Sequence, residues 1–456
     1  MITSKTRQRP SQTKVVATLG PASDNAEMIE KLIFAGVDVF RLNMAHGSTD
    51  EHQVRLDTIR NVSKSLGVEV GVLADLAGPK IRLGELPGDQ YQCNTGDIVR
   101  FVRGEKTVIP GNFTCTYAPL VDELAVGDNV MLADGTVKLT VEEKTPDAAI
   151  CRIQVPGLIR SRQGVNLPGV KLSIPTLQPV DKTNAAWATK AGVDFLGLSF
   201  VRTANDINEL RDIIEENSGE THIIAKIEKP EALENIEEIV CTADGIMVAR
   251  GDLGVEIDIA EIAIVQKRII DLCRHYNKPV ITATQMLDSM QHESLPTRAE
   301  ATDVANAILD GTDACMLSGE TAIGNFPVES VQMMHRIALA TESVRQINHP
   351  FYSSECRGGP ISGVDPITLH TAQAAAELAD NLDAAAVLVA TVSGQTALSL
   401  SKHRRFVTTI GVSPKVSSLR KMALYWGVMP MPNIPAEDPE KIIEHFVEIG
   451  LEAGVL

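Results

Sequence analysis

Apolar residues along this chain recur in two rhythms. Short uninterrupted runs, among them TKVVATLG, VDVFRLN, EVGVLAD, FLGLSFV, HIIAKIE, GIMVAR, PVITAT and DACMLS, read as strands buried on both faces. Between them lie stretches with apolar residues at helical spacing. SDNAEMIEKLIFAG has capping residues, one face of Met28, Ile29, Leu32 and Ile33, and Gly36 as its stop. Asp50 to Leu66 is a second helix, and Pro230 opens a third over EALENIEEIV. Eight strand–helix units result, and that count fits a (β/α)8 TIM barrel.

The rhythm breaks once, after the third strand. From about Gly84 to Gly164 the chain carries β-type runs such as DIVRFV, VMLADGTVKLTV and AICRIQV, cut by Gly, Pro and Asp-Gly turns, with no convincing amphipathic helix. From about Val344 a further alternation begins with DPITLHTAQAAAELADNL, AAAVLVAT and FVTTIGV, and ends on EKIIEHFVEIGLEAGVL, a helix with no strand after it. The expected division is residues 1–82 and 166–343 for the barrel, 83–165 for a separate all-β insertion, and 344–456 for a small C-terminal α/β unit. No internal repeat beyond the strand–helix unit is evident.

Composition narrows the partners. Lys plus Arg number 42 against 59 acidic residues, a net charge of −17, which opposes nucleic-acid binding and obliges any anionic substrate to find a local basic pocket. No apolar run reaches the roughly 18 residues of a membrane span, and the first residues lack the apolar core of a signal peptide. Seven cysteines stand singly, with no CxxC pair. They read as small core residues in a reducing compartment, so the cytoplasm is the expected location.

The chemistry concentrates at strand ends. In Thr221 to Asp258 one run stops at Lys226 and Glu228 and the next at Gly251 and Asp252. Parallel barrels set their chemistry at such carboxyl ends, so Lys226, Glu228 and Asp252 can converge. Two carboxylates suit a hard Mg²⁺ ion, and a lysine beside them neutralises developing negative charge, as a phosphate-linked reaction requires. Gly251 permits close approach of backbone N–H groups to an anion. Each charge alone reads as solvation of a strand end.

These residues belong to longer blocks: TKVVATLGPAS, VFRLNMAHG, GPKIRLG, GVNLPG, LSFVR, IIAKIEKPEAL, DGIMVARGDLGVE, KPVITATQMLDSM, PTRAEATDVANAILDGTDACMLSGETAIGNFPVESV and SGQTA. Together they resemble the pyruvate kinase family over nearly the whole chain, which implies a (β/α)8 TIM barrel with an inserted β-barrel lid domain at 83–165 and a C-terminal α/β domain at 344–456 that lacks the family's last strands. The resemblance implies transfer of the phosphoryl group of phosphoenolpyruvate to ADP, with Mg²⁺, or Mn²⁺ in its place, on Glu228 and Asp252. It places phosphoenolpyruvate against Gly251, Asp252 and Thr284, with Lys226 and Arg41 on the transferring phosphoryl group. Thr284, Ser318 and Glu320 fall on the proton route to the enolate. Asn43, His46, Arg82 and Lys182 match the nucleotide side, and a homotetramer is the implied assembly. Another Mg²⁺-enolate barrel enzyme and a non-catalytic regulatory paralogue are the alternatives.

Two departures from the family pattern carry further expectations. Many members bind K⁺ through oxygens at positions that here are Ala45 and Leu76, while Asp75 and Asn43 remain and a glutamate position has become Lys80. The expectation is a Lys80 ammonium near Asp75 and activity without K⁺. In the C-terminal unit Thr391, Ser393, Gly394 and Thr396 keep a phosphate-type loop, but the usual basic effector positions are Val392 and Gln395. Sugar-phosphate regulation is therefore not expected to be strong.

Overall fold

The computed structural model describes residues 11–133, 135–347, 365–431 and Glu444. Eight parallel strands close into a barrel: β1 Lys14–Leu19, β2 Val39–Asn43, β3 Gly71–Asp75, β4 Phe195–Leu198, β5 His222–Ile227, β6 Gly245–Ala249, β7 Val280–Ala283 and β8 Ala314–Leu317. Each pairs with its sequence neighbours, and β8 returns to β1 with Lys14 opposite Ala314. Nearly every strand residue is buried, because helices cover the outside and side chains fill the inside. Within β1, Val15 and Ala17 pack towards the helices while Val16 packs with Leu73, Ile224, Met247 and Met316 in the barrel interior.

Local chemistry sets most helix ends as the sequence foretells. The Asn25 side chain accepts from Met28 N–H, and Gly36 stops the helix Ala26–Ala35 at φ 122°. Ser48 and Glu51 form a capping box on Thr49–Leu66. The helix expected after Pro230 divides into Pro230–Glu234 and Ile236–Thr242. Asn235 breaks it, leaving helical geometry while its Nδ2 donates to the Arg202 carbonyl at 3.0 Å. The last barrel helix, Pro327–Ile347, runs through Val344, where sequence alone begins the next unit.

The insertion after β3 forms a six-stranded sheet with a separate two-stranded ribbon, Gln90–Cys93 with Gly157–Arg160. Its own core holds Phe101, Phe113, Val130, Leu139 and Ile153. The one helix among its described residues is the short Leu120–Glu123. Both connections to the barrel are tied down. Asp181 accepts from Ala77 and Gly78 N–H on the way out, and Arg202 donates to the Leu172 and Ile174 carbonyls on the way back.

The C-terminal unit is a parallel sheet of Ala386–Ala390, Thr408–Val412 and Val428–Met431, flanked by Pro366–Asn381, Gln395–Lys402 and Val416–Met422. It stoppers the amino-terminal end of the barrel. Leu398, Leu419, Met422, Tyr425 and Val428 share one core cluster with the barrel interior. The expected helix at Glu440 to Leu456 and the question of missing last strands lie outside the described residues apart from Glu444.

One repeat went unread in the sequence. Asp38, Asp194, Asp244 and Asp313 each stand one residue ahead of an even-numbered strand. Each carboxylate accepts the N–H of a residue in the preceding strand: Val15, Val72, Ile223 and Val280 at 2.7–2.9 Å. Each also donates its own N–H to the carbonyl of that same residue. Lys14, Arg60 and Arg211, all from the barrel, balance the first three.

Candidate active site

Towards the carboxyl ends of the strands, Arg41 of β2, Asp75 of β3 and Lys226 of β5 turn their charges inward. The Lys226 ammonium lies 2.9 Å from Glu228 Oε1 and 3.2 Å from Asp75 Oδ1, and donates to Ser199 Oγ at 2.7 Å. Ser199 in turn donates to the Leu76 carbonyl. The Arg41 guanidinium meets Asp75 Oδ2 at 2.7 Å through both Nε and Nη2, and its Nη1 reaches Thr18 Oγ1 at 3.1 Å. Asp75 is therefore the hub joining the two cations. Gly197 leaves the room for it, since a Cβ there would come within 2.7 Å of Asp75 Oδ1.

The electrostatics follow from burial and pairing. Burial opposes charge on Lys226, but Asp75 and Glu228 outweigh it and hold the ammonium protonated well above the ordinary lysine range. Burial likewise works against the Asp75 carboxylate, and Lys226 with Arg41 pulls it below its usual value. Glu228 goes the other way. Burial raises it, Lys226 only partly compensates, and the charges of Asp252 and Asp75 push it further up. Glu228 and Asp252 are thus two mutually repelling carboxylates. A divalent cation between them would relieve that repulsion, so the donor set fits a hard ion that takes its other ligands from substrate and water. Among the described residues no group of three or more Asp, Glu, His and Cys side chains is placed to hold a metal. The protein's share of such a site would be these two carboxylates.

Beyond β7 the backbone turns sharply. Thr284 and Gln285 take φ of 70° and 53°. Thr284 Oγ1 donates to the Ala283 carbonyl at 2.6 Å and accepts Gly251 N–H at 2.7 Å. The Gly251 N–H expected to face an anion is thus engaged by Thr284. Glu320, buried and pushed up by burial, accepts the N–H of Ser318 at 2.7 Å and of Leu287 at 3.1 Å, tying the end of β8 to the turn after β7. The buried Ser318 hydroxyl has no hydrogen-bond partner among the described residues.

Other expected residues stand apart. His46 is exposed beyond β2, Asn43 Oδ1 accepts from Ala45 N–H, and Lys182 pairs with Glu209 at 2.6 Å. Arg82 stands at the root of the insertion, donating to the Arg162 carbonyl. Lys80 corrects the sequence reading. It is exposed and lines a cleft between insertion and barrel, shared with Phe200, Arg202, Asp252 and Glu256. The cations on Asp75 are Arg41 and Lys226, because β2 and β5 point them across the barrel mouth while Lys80 follows the outgoing connection. Ala45 is exposed and Leu76 is buried in the apolar core, so neither side chain offers an oxygen. Sequence reasoning missed Ser199 and Arg250, whose roles depend on partners distant in the chain.

Residues 10–331 match the family model for the pyruvate kinase barrel domain, and residues 370–456 match that for the pyruvate kinase alpha/beta domain. The chain belongs to the pyruvate kinase family. It is 42% identical over 445 residues to a pyruvate kinase of Staphylococcus epidermidis, covering 97% of this chain and 75% of the relative. A pyruvate kinase of Sporosarcina psychrophila is 43% identical over 443 residues, 96% of this chain and 74% of the relative. The crystal structure of a pyruvate kinase from Cryptosporidium parvum superposes with a TM-score of 0.90 at 33% identity, covering 98% of this chain and 92% of that one. The activity is that of a pyruvate kinase, a phosphotransferase of glycolysis, and the family uses a divalent metal. No helix among the described residues is long and apolar enough to cross a membrane.

Proposed function

We propose that the chain transfers the phosphoryl group of phosphoenolpyruvate to ADP around Lys226. The observation that carries this reading is a buried ammonium held between Asp75, Glu228 and Ser199 at the barrel mouth. Phosphoryl transfer asks for positioning and charge neutralisation more than covalent chemistry. Lys226 meets the charge that develops on the transferring group and on the enolate. Arg41 offers a planar fork to the phosphate, already aligned by Asp75. Glu228 and Asp252 would hold Mg²⁺, or Mn²⁺, which when bound neutralises and orients phosphate oxygens. Thr284, Ser318 and Glu320 serve the delivery of a proton to the enolate carbon. Asn43, His46, Arg82 and Lys182 serve the nucleotide. The inserted sheet, residues 83–165, acts as a lid hinged at the connections that Asp181 and Arg202 hold. A homotetramer and a cytoplasmic location belong to the same proposal, on the family resemblance and the singly placed cysteines.

The reaction further runs without K⁺. Support comes from the absence of side-chain oxygens at Ala45 and Leu76 and from the two cations that already meet Asp75. Pyruvate formation from phosphoenolpyruvate and ADP with Mg²⁺ tests both parts when run in K⁺-free buffer and again with K⁺. Equal, robust rates are expected. Strong activation by K⁺ over Na⁺ removes the K⁺ reading, and no turnover from folded protein removes the function.

A further inference from the structure

Arg250 follows β6 directly and opens the seven-residue helix that carries Asp252. Its side chain is only 7% exposed. Nη1 donates to Asp303 Oδ1 at 2.8 Å and Nη2 lies 2.7 Å from Asp303 Oδ2, a bidentate pair with the helix Arg298–Asp310. Nη2 also donates to the Thr284 carbonyl at 3.0 Å and reaches the Gln285 carbonyl at 3.4 Å.

Thr284 is the one β-branched residue among the described residues with positive φ, and Gln285 follows it in the same region. A β-branched side chain there is strained, and such strain persists only where the surroundings hold it. The turn aims two carbonyls inward, away from the ladder, and Arg250 satisfies both. In return the Thr284 hydroxyl takes the N–H of Gly251, the residue after Arg250. The lock is reciprocal: the side chain of 250 holds the backbone of 284, and the side chain of 284 holds the backbone of 251.

We infer that Arg250 is a positioning residue for the reaction, fixing the left-handed turn at Thr284 and, through Gly251, the direction of Asp252. The inference rests on the assignment of Thr284 and Asp252 above. It also refines the role of Thr284. Its hydroxyl hydrogen is committed to the Ala283 carbonyl, so Thr284 aligns the Gly251–Asp252 segment and does not itself supply the proton.

R250K keeps the charge and loses the fork. Three readouts separate positioning from stability: kcat, KM for ADP, and the dissociation constant of Mn²⁺ alone, read by electron paramagnetic resonance without turnover. A displacement of about 1 Å costs on the order of 10²-fold in rate, so kcat of folded R250K should fall by about that factor. Mn²⁺ affinity should weaken, and KM for ADP should stay unchanged, since the nucleotide residues stand on and just after β2, at the root of the insertion and on the helix Pro179–Lys190, away from Arg250. D303N, at a side chain 40% exposed, is the second variant. It releases the guanidinium from its anchor and should lower kcat and Mn²⁺ affinity in the same direction by a smaller factor. Wild-type kcat and Mn²⁺ affinity in folded R250K, or in D303N if R250K does not fold, overturn the inference while wild-type turnover leaves the proposed function standing. Absence of wild-type turnover overturns the function itself.

Discussion

The carboxylate of Asp313, one residue ahead of β8, lies 2.6 Å from the ammonium of Lys402 in the C-terminal unit. Arg404 from the same unit meets its other oxygen at 2.9 Å and donates to the Gly311 carbonyl. Among the ion pairs of the described residues, Asp313 is the one of the four aspartates that tie odd to even strands whose partners come from outside the barrel. The strands it joins, β7 and β8, lead directly into Thr284 and Ser318. The C-terminal unit thus completes the foundation under half of the candidate site.

D313N keeps an acceptor for Val280 N–H and removes the charge. Two buried cations then lose their partner, and breaking such a pair costs ~3–5 kcal/mol. Chemical denaturation should show a loss of that order. A K402M/R404M double variant restores neutrality by the other route and, combined with D313N, should recover part of it. An additive triple variant would mean that the three residues do not act together.

Gly197→Ala places a Cβ 2.7 Å from Asp75 Oδ1 with no flexible group to yield except the hub itself. Asp75 should swing off Lys226, and kcat should fall by at least about ten-fold, in the range a misplaced charge costs. Unchanged kcat would show that the Asp75–Lys226 contact is dispensable.

Lys226→Ala removes the ammonium and leaves Glu228 and Asp75 short of a cation. Turnover should drop by about 10²–10⁴-fold, the span one positioned electrostatic or acid–base group supplies. Steady-state kinetics at saturating substrates would decide, and a near-native rate would remove Lys226 from the centre of the reaction.

His222, at the start of β5 and edge-on to Phe195, provides a pH signature. Burial lowers its pKa to about 4; Asp244 opposes, and Lys421, Arg211 and Lys278 reinforce the shift. Below about pH 6.5 the unfolded chain takes up a proton that the fold refuses. Stability is therefore lost as pH falls from about 6.5 to about 4 and levels off beneath, at most about 1.4 kcal/mol per unit. Asp75 and Asp313, whose pKa values are depressed, lose their contribution only in a more acid window, below the ordinary aspartate value of 3.8. Melting temperature against pH should be shallower between 6.5 and 4 for His222→Gln than for the parent chain.

The hydrophobic rhythm by itself determined the eight-fold alternation, the break after the third strand and the strand ends that bear Lys226, Glu228 and Asp252. Those follow from local physics, since a doubly buried strand must be apolar and its first charged residue must mark the mouth. Capping at Asn25 and Ser48 was legible for the same reason. Only the tertiary structure decided which charges meet. Asp75 faces Arg41 and Lys226, and Lys80 does not reach it, because strand tilt and the path of a connection are set by barrel closure and not by nearby residues. The aspartate repeat was hidden because three copies read Gly-x-Asp and the fourth Thr-Ala-Asp, and each acts only once a neighbouring strand is in register. Arg250 reads as one more strand-end charge in the sequence, and only the fold sets the turn after β7 beside it, where its planar cation meets the carbonyls of Thr284 and Gln285.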